Sequence, residues 1–186
     1  MSILVDLWLP ILIASILVFF ASSLIHMITP WHKSDLRSVP DQEKARKAIG
    51  ELGLAPGDYV LPRPDNMKNM NSPEFLSKLK EGPRLVFTVL PNEVTNMGKM
   101  LGAWFVYILA VSLFAGFFAG HVVQAGDEHR RIFHVVGAVT FMAYAGALCQ
   151  MSIWWGRSWA TTLRSMIDGL IYAAITAETF ALMWPR

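Results

Sequence analysis

The chain reads as a mainly α integral membrane protein, a four-helix bundle with a small cytoplasmic α/β insertion between the first and second spans. Three observations predict this. The apolar runs Leu7–Thr29, Leu101–Gly120, Ile132–Ile153 and Ser165–Trp184 are each long enough to cross ~30 Å of hydrocarbon at ~1.5 Å per helical residue. All seven tryptophans lie at or just beyond the end of a run, where aromatic belts form at the membrane–water boundary. Eleven of the sixteen lysines and arginines fall between Trp31 and Met100, so positive charge is concentrated on one side of the threading. Composition agrees: 54% hydrophobic and 16% charged residues, with a mean hydropathy of +0.40, are low in charge for a soluble domain of 186 residues.

Residues 1–30 hold the first span. No positively charged side chain precedes its apolar stretch, where only Asp6 is charged, and Lys33 and Arg37 follow it. That order is the reverse of a secretion signal and predicts an uncleaved helix. Residues 31–100 form the insertion. Pro40 and Asp41 open a helix over Gln42–Leu52, Gly53 caps it, and Ala55-Pro56-Gly57 makes a turn. Asp58–Leu61 is a short strand stopped by Pro62 and Pro64. Asn66, Asn69 and Asn71, interleaved with Met67 and Met70, read as an irregular loop. Ser72 is an N-cap with Pro73 at the first helical position, and that helix ends at Gly82-Pro83. Arg84–Leu90 is rich in β-branched and aromatic residues, a second strand placed to pair with the first. About 65 residues is marginal for independent stability, so the insertion should lean on the bundle or on a partner.

Residues 101–186 supply the remaining three spans. Lys33, Arg37, Lys99, Arg157 and Arg164 flank the spans on one side, against Arg130, Arg131 and Arg186 on the other. Asp127 and Glu128 dilute Arg130 and Arg131. The bias puts residues 31–100 in the cytoplasm of a bacterial inner membrane and both termini outside. Gly169, Ala173, Ala177 and Ala181 make a smooth face on the fourth span, and Gly116 and Gly120 a shorter one on the second. Such faces let helices approach closely, within one bundle or against a protein partner or second copy.

The chemistry-bearing residues are few. His121 and His134 should lie at similar depth on the outer side, where two histidines could ligate a haem b iron from both faces. Glu178 lies six residues before Trp184, roughly 9 Å below the outer boundary, and reads either as a relay group facing inward, protonated or paired with His121 or His134, or as a packed, hydrogen-bonded acid or one close enough to reach outer water. These three are the candidate cofactor-binding residues. His26 and His32 read as interfacial polar residues. Asp168 stands four residues after Arg164, a spacing that explains it as a helical ion pair. Cys149 is the single cysteine, so neither a disulfide nor a cysteine-based metal site is available. No phosphate-cradling glycine loop, HExxH, cysteine pair or GxSxG occurs, and paired central Gly/Pro interruptions like those of many transporters are missing. Hence no catalytic residue, metal or cofactor is predicted. A net charge of +2 without a run of like charges gives no reason to expect nucleic acid.

The strings SSLIHM (Ser22–Met27), PWHKSD (Pro30–Asp35), the turn around Gly57 and Tyr59, NMGK (Asn96–Lys99) and DGLIYAAITAETFALMWP (Asp168–Pro185) carry a resemblance almost end to end. The chain resembles an uncharacterised family of small four-helix bacterial inner-membrane proteins with no assigned activity. The resemblance implies a shared topology and brings no catalytic residues; it also implies that Glu178 stands where relatives carry a small residue. The leading expectation is a non-enzymatic accessory or assembly subunit of a larger membrane complex. The alternative is a haem-binding or proton-handling membrane redox protein built on His121, His134 and Glu178, and the third is a small solute or ion permease.

Overall fold

The structure is a computed structural model that describes residues 3–185. Four helical segments are long and apolar enough to cross a membrane: Trp8–Met27, Met97–Val122, His129–Trp155 and Trp159–Met183. The chain divides into two compact units, one made of residues 1–37 and 96–186 and the other of Ser38–Thr95.

In the helical unit, α1 (Ile3–Asp6) leads through Leu7 into α2 (Trp8–Met27). Then come α5 (Met97–Val122), α6 (His129–Tyr144), α7 (Cys149–Trp155) and α8 (Trp159–Met183). Large apolar side chains point outward along the spans, including Phe20, Leu24, Val106, Phe114, Met142 and Leu182, as a lipid-facing surface requires. The interior is made of smaller groups. Ala14, Ala115, Ala119, Val136 and Ala177 surround Phe180, and Val18, Ile108, Val111, Tyr144 and Tyr172 form a second cluster. Several buried hydroxyls stay inexpensive because they turn back to their own helix: Ser15 donates to the Ile11 carbonyl at 2.7 Å, Thr140 to Val136 at 2.7 Å and Thr176 to Tyr172 at 2.9 Å.

The smooth faces are occupied within the chain. Ala173, Ala177 and Ala181 are buried, a Cβ on Gly137 would touch Ala177 at 3.4 Å, and one on Gly169 would press on Ala145 at 2.9 Å. Gly116 lies against Phe180 and Ile11. These contacts hold α8 to α6, and α5 to α2 and α8.

Two features differ from the sequence-based expectations. The third apolar run is not one straight helix: α6 stops at Tyr144, a short 3₁₀ turn spans Gly146–Leu148, and α7 resumes at Cys149. The Tyr107 hydroxyl donates to the Ala143 carbonyl at 3.0 Å, satisfying an acceptor beside the break. Nor do all seven tryptophans serve as belt residues. Trp104 donates through Nε1 to Ser22 Oγ at 2.8 Å, and buried Trp184 donates to the Gln124 carbonyl at 3.1 Å. Both pin helices or loops together through the indole N–H.

The Ser38–Thr95 unit contains α3 (Gln42–Gly50), β1 (Gly57–Leu61), a 3₁₀ helix over Met67–Asn71, α4 (Pro73–Glu81) and β2 (Leu85–Val89). Asp41 caps α3 by accepting from the Lys44 N–H at 3.0 Å, and Ser72 caps α4 through the Phe75 N–H at 3.2 Å. The asparagine-rich loop is ordered as the 3₁₀ helix because Asn66 accepts from the Lys68 N–H at 3.0 Å. The strands pair antiparallel with Tyr59 opposite Phe87 and Asp58 opposite Thr88. Tyr59 and Phe87 stack, and Thr88 donates to Asp58 at 2.6 Å. Phe75 is the buried apolar side chain of this unit, while Ile49, Leu52, Leu85, Val86 and Leu90 are exposed.

Candidate functional site

The polar residues that meet inside the helical unit lie at the end where α2 finishes and α5 and α8 begin. After α2 the chain turns tightly: the Lys33 N–H reaches the Pro30 carbonyl at 3.1 Å, and the Asp35 N–H reaches His32 at 3.0 Å. This turn folds His32 back over the helix end, so that its ring stacks on His26 with centroids 4.5 Å apart and planes at 8°. His32 Nδ1 lies 2.6 Å from Asp35 Oδ2, and its Nε2 lies 2.8 Å from Asp168 Oδ2 on α8. Arg164, one turn earlier on α8, sends Nε and Nη2 to Asp35 Oδ1 at 2.8 and 2.6 Å.

This overturns the helical pairing expected for Arg164 and Asp168. Each reaches the 28–37 turn instead, Arg164 to Asp35 and Asp168 to His32. A tertiary partner that is already desolvated wins over an exposed pairing along one helix, which is worth only ~0.3–0.5 kcal/mol. Asp168 is 4% exposed, and its Oδ1, like His32 Nε2, is buried without a hydrogen-bond partner. Burial alone would raise the Asp35 carboxyl; the hydrogen bonds from His32 and Arg164, and the charge on Arg164, hold it below its ordinary value of 3.8.

Two cavities share lining residues at this cluster. An apolar groove of about 1060 Å³ runs between α2, α5, α6 and α8, lined by Trp104, Tyr107, Tyr144, Gly169 and Tyr172 and also by His26 and Asp168. The buried Tyr172 hydroxyl also lacks a partner there. A smaller pocket of about 420 Å³ is lined by Lys33, Arg157, Asp35, Ser158 and Thr161. His26 and Ser165 belong to both.

The residues singled out from sequence lie at the opposite end. Glu178 pairs with His129, Oε1 to Nε2 at 3.2 Å, and its side chain is 47% exposed. It neither faces the bundle interior nor meets His121 or His134. At ~100° per helical residue, His129 and His134 point ~140° apart on α6, so only one can reach α8 at this height. His121 turns its Nδ1 onto the Phe117 carbonyl at 2.7 Å, and His134 is exposed beside Phe133. Among the described residues, no hydrogen bond or ring contact joins His121 to His134.

No family model, curated protein or solved structure matches the chain.

Proposed function

We propose that this protein is a membrane-embedded binding protein for an anionic amphiphile, with no covalent step. The single observation that carries this is that an apolar, aromatic-lined groove shares His26 and Ser165 with a pocket bearing Lys33 and Arg157, whose one carboxylate, Asp35, is already engaged by Arg164. That junction has the shape and polarity of a lipid-like molecule: the tail lies along Trp104, Tyr107 and Tyr172, and the phosphate-type head meets the two cations. Sites of this kind are mostly apolar, with a few polar groups that fix orientation. The excess of lysine and arginine between Trp31 and Met100 supports a bacterial inner-membrane location with this end of the bundle at the cytoplasmic face and both termini outside. Anionic lipid is abundant at such a face, and each nearby cation contributes ~1 kcal/mol to its attraction.

The test is lipid retention. Full-length protein is purified from detergent mixed with equal amounts of phosphatidylglycerol and phosphatidylcholine of the same acyl chains, and bound lipid is counted by mass spectrometry. Enrichment of the anionic lipid of about thirtyfold is expected from two cations at ~1 kcal/mol each. Lys33→Gln with Arg157→Gln should remove the preference. Ala103→Trp, which fills the groove without touching either cation, should remove retention of both lipids. Equal retention in the parent protein, or retention that survives Ala103→Trp, would refute the proposal.

A second reading, an accessory subunit of a larger complex, is favoured by one observation. The Ser38–Thr95 unit leaves Ile49, Leu52, Leu85, Val86 and Leu90 exposed and buries a single apolar side chain, Phe75. Surface of that kind is characteristic of a protein interface. Native membranes solubilised gently should then yield the chain in particles well above 20.8 kDa that contain other proteins. Migration as a lone monomer or homo-oligomer would count against it.

A further inference from the structure

We propose that His26, His32 and Asp168 form a binding site for one divalent first-row transition cation of the zinc class. Their ligating atoms all lie within 4.8 Å of one another. The tautomers follow from the partners. His26 Nδ1 lies 3.0 Å from the Ser22 carbonyl, which can only accept, so Nδ1 carries the proton and Nε2 is left with a free lone pair. His32 Nδ1 lies 2.6 Å from an Asp35 carboxylate oxygen, which likewise leaves Nε2 as the ligating atom.

His32 Nε2 then faces Asp168 Oδ2 at 2.8 Å, yet neither His32 Nε2 nor Asp168 Oδ1 has a hydrogen-bond partner. Without a cation, a lone pair and a carboxylate would be held against each other in a buried place. An imidazolium bridging Asp35 and Asp168 would remove that repulsion, but His32 Nε2 makes no hydrogen bond to Asp168 despite the short distance. A cation sits off the line joining two ligand atoms and satisfies both. Atoms bound to one ion at ~2.0–2.1 Å are ~3.3 Å apart in a tetrahedral site, so the exposed His26 ring completes the set by moving ~1.5 Å and turning out of its stack on His32, which brings its in-plane lone pair onto the ion.

Two imidazoles and one carboxylate suit zinc and its first-row neighbours, and an oxygen-poor set of this kind disfavours calcium and magnesium. Asp35 holds His32 Nδ1 as a carboxylate–histidine pair, and Arg164 in turn holds Asp35, the outer-shell arrangement that orients a metal-binding imidazole. Three protein ligands leave one position open. The site does not depend on the groove being filled by a lipid.

The experiment uses tag-free, full-length protein in detergent micelles, stripped with chelator. Zn²⁺ is titrated in competition with a chromophoric chelator, and Co²⁺ is used as a visible-spectrum probe. One Zn²⁺ per chain is expected, with a Co²⁺ d–d band characteristic of a low-coordinate N/O site. Asp168→Asn should abolish binding. His26→Gln should weaken it by at least about tenfold, and it leaves the His32–Asp35–Arg164 contacts in place, so lost binding cannot be ascribed to a collapsed turn. His129→Gln should bind as the parent does. Absence of stoichiometric Zn²⁺ binding, or binding that survives both His26→Gln and Asp168→Asn, would overturn the proposal.

Discussion

Asp35 is the residue through which the 28–37 turn is tied to α8, and its removal should loosen that tie by a measurable amount. Its Oδ1 accepts a hydrogen bond from Arg164 Nε at 2.8 Å and lies 2.6 Å from Arg164 Nη2, and its Oδ2 lies 2.6 Å from His32 Nδ1. Charge-assisted hydrogen bonds in a dry setting contribute ~1.5–3 kcal/mol each. Here the neighbouring pocket admits solvent and Arg164 is 24% exposed, which brings the expected Asp35–Arg164 coupling down to ~1–2 kcal/mol. A double-mutant cycle of Asp35→Asn and Arg164→Gln, with unfolding followed in mixed micelles, measures it directly. The pH dependence adds a second constraint. The folded-state carboxyl is held below 3.8, so its contribution is complete above that value and is lost as pH falls through the lower folded value. The parent should therefore lose this increment on acidification below about pH 4, while Asp35→Asn has none to lose. A coupling near zero at pH 7, or an acid response identical in parent and Asp35→Asn, would refute the argument.

Three further outcomes are expected. Gly169→Val places a Cβ 2.9 Å from Ala145 Cβ and 3.3 Å from the Tyr144 backbone, neither of which can swing aside, and should destabilise by ~2–3 kcal/mol. Gly102→Val, with nothing within 4 Å, is the control and should unfold within error of the parent. Glu178→Gln breaks a half-exposed pair with His129 and should change unfolding by less than about 1 kcal/mol; a larger loss would mean that Glu178 is more deeply engaged than its 47% exposure implies. Trp104→Phe removes the bond to Ser22 Oγ and should cost about 1 kcal/mol, read from the unfolding midpoint in the same micelles.

The parts of the fold that were legible share one property: each is decided within a few residues of chain. The spans follow from apolar length. The starts of α3 and α4 follow from Asp41 and Ser72, whose side chains reach N–H groups three residues on. The end of α4 follows from Gly82, which adopts a φ of +66° that other residues resist. The polar cluster was not legible, although His26, His32, Asp35 and Asp168 all stand in the strings SSLIHM, PWHKSD and DGLIYAAITAETFALMWP. Arg164 and Asp35 are separated by 129 residues, and their contact depends on how α2 packs along α8. A buried acid in an apolar run was the available signal. The nearer arginine explained it too readily. The break at Ala145 was hidden for a related reason, since hydropathy registers how apolar a run is and not whether its backbone remains helical.

The amino-acid sequence by itself determined four membrane-length helices, a small paired-strand insertion and the concentration of positive charge around it, because length, capping and composition are local quantities. Only the tertiary structure decided which polar groups share a site. A histidine or carboxylate has no chemistry apart from its neighbours, and the neighbours here come from three stretches of chain joined by helix packing. That packing put Glu178 at a half-exposed surface with His129, and it enclosed Asp168 with His26 and His32 at the other end of the bundle.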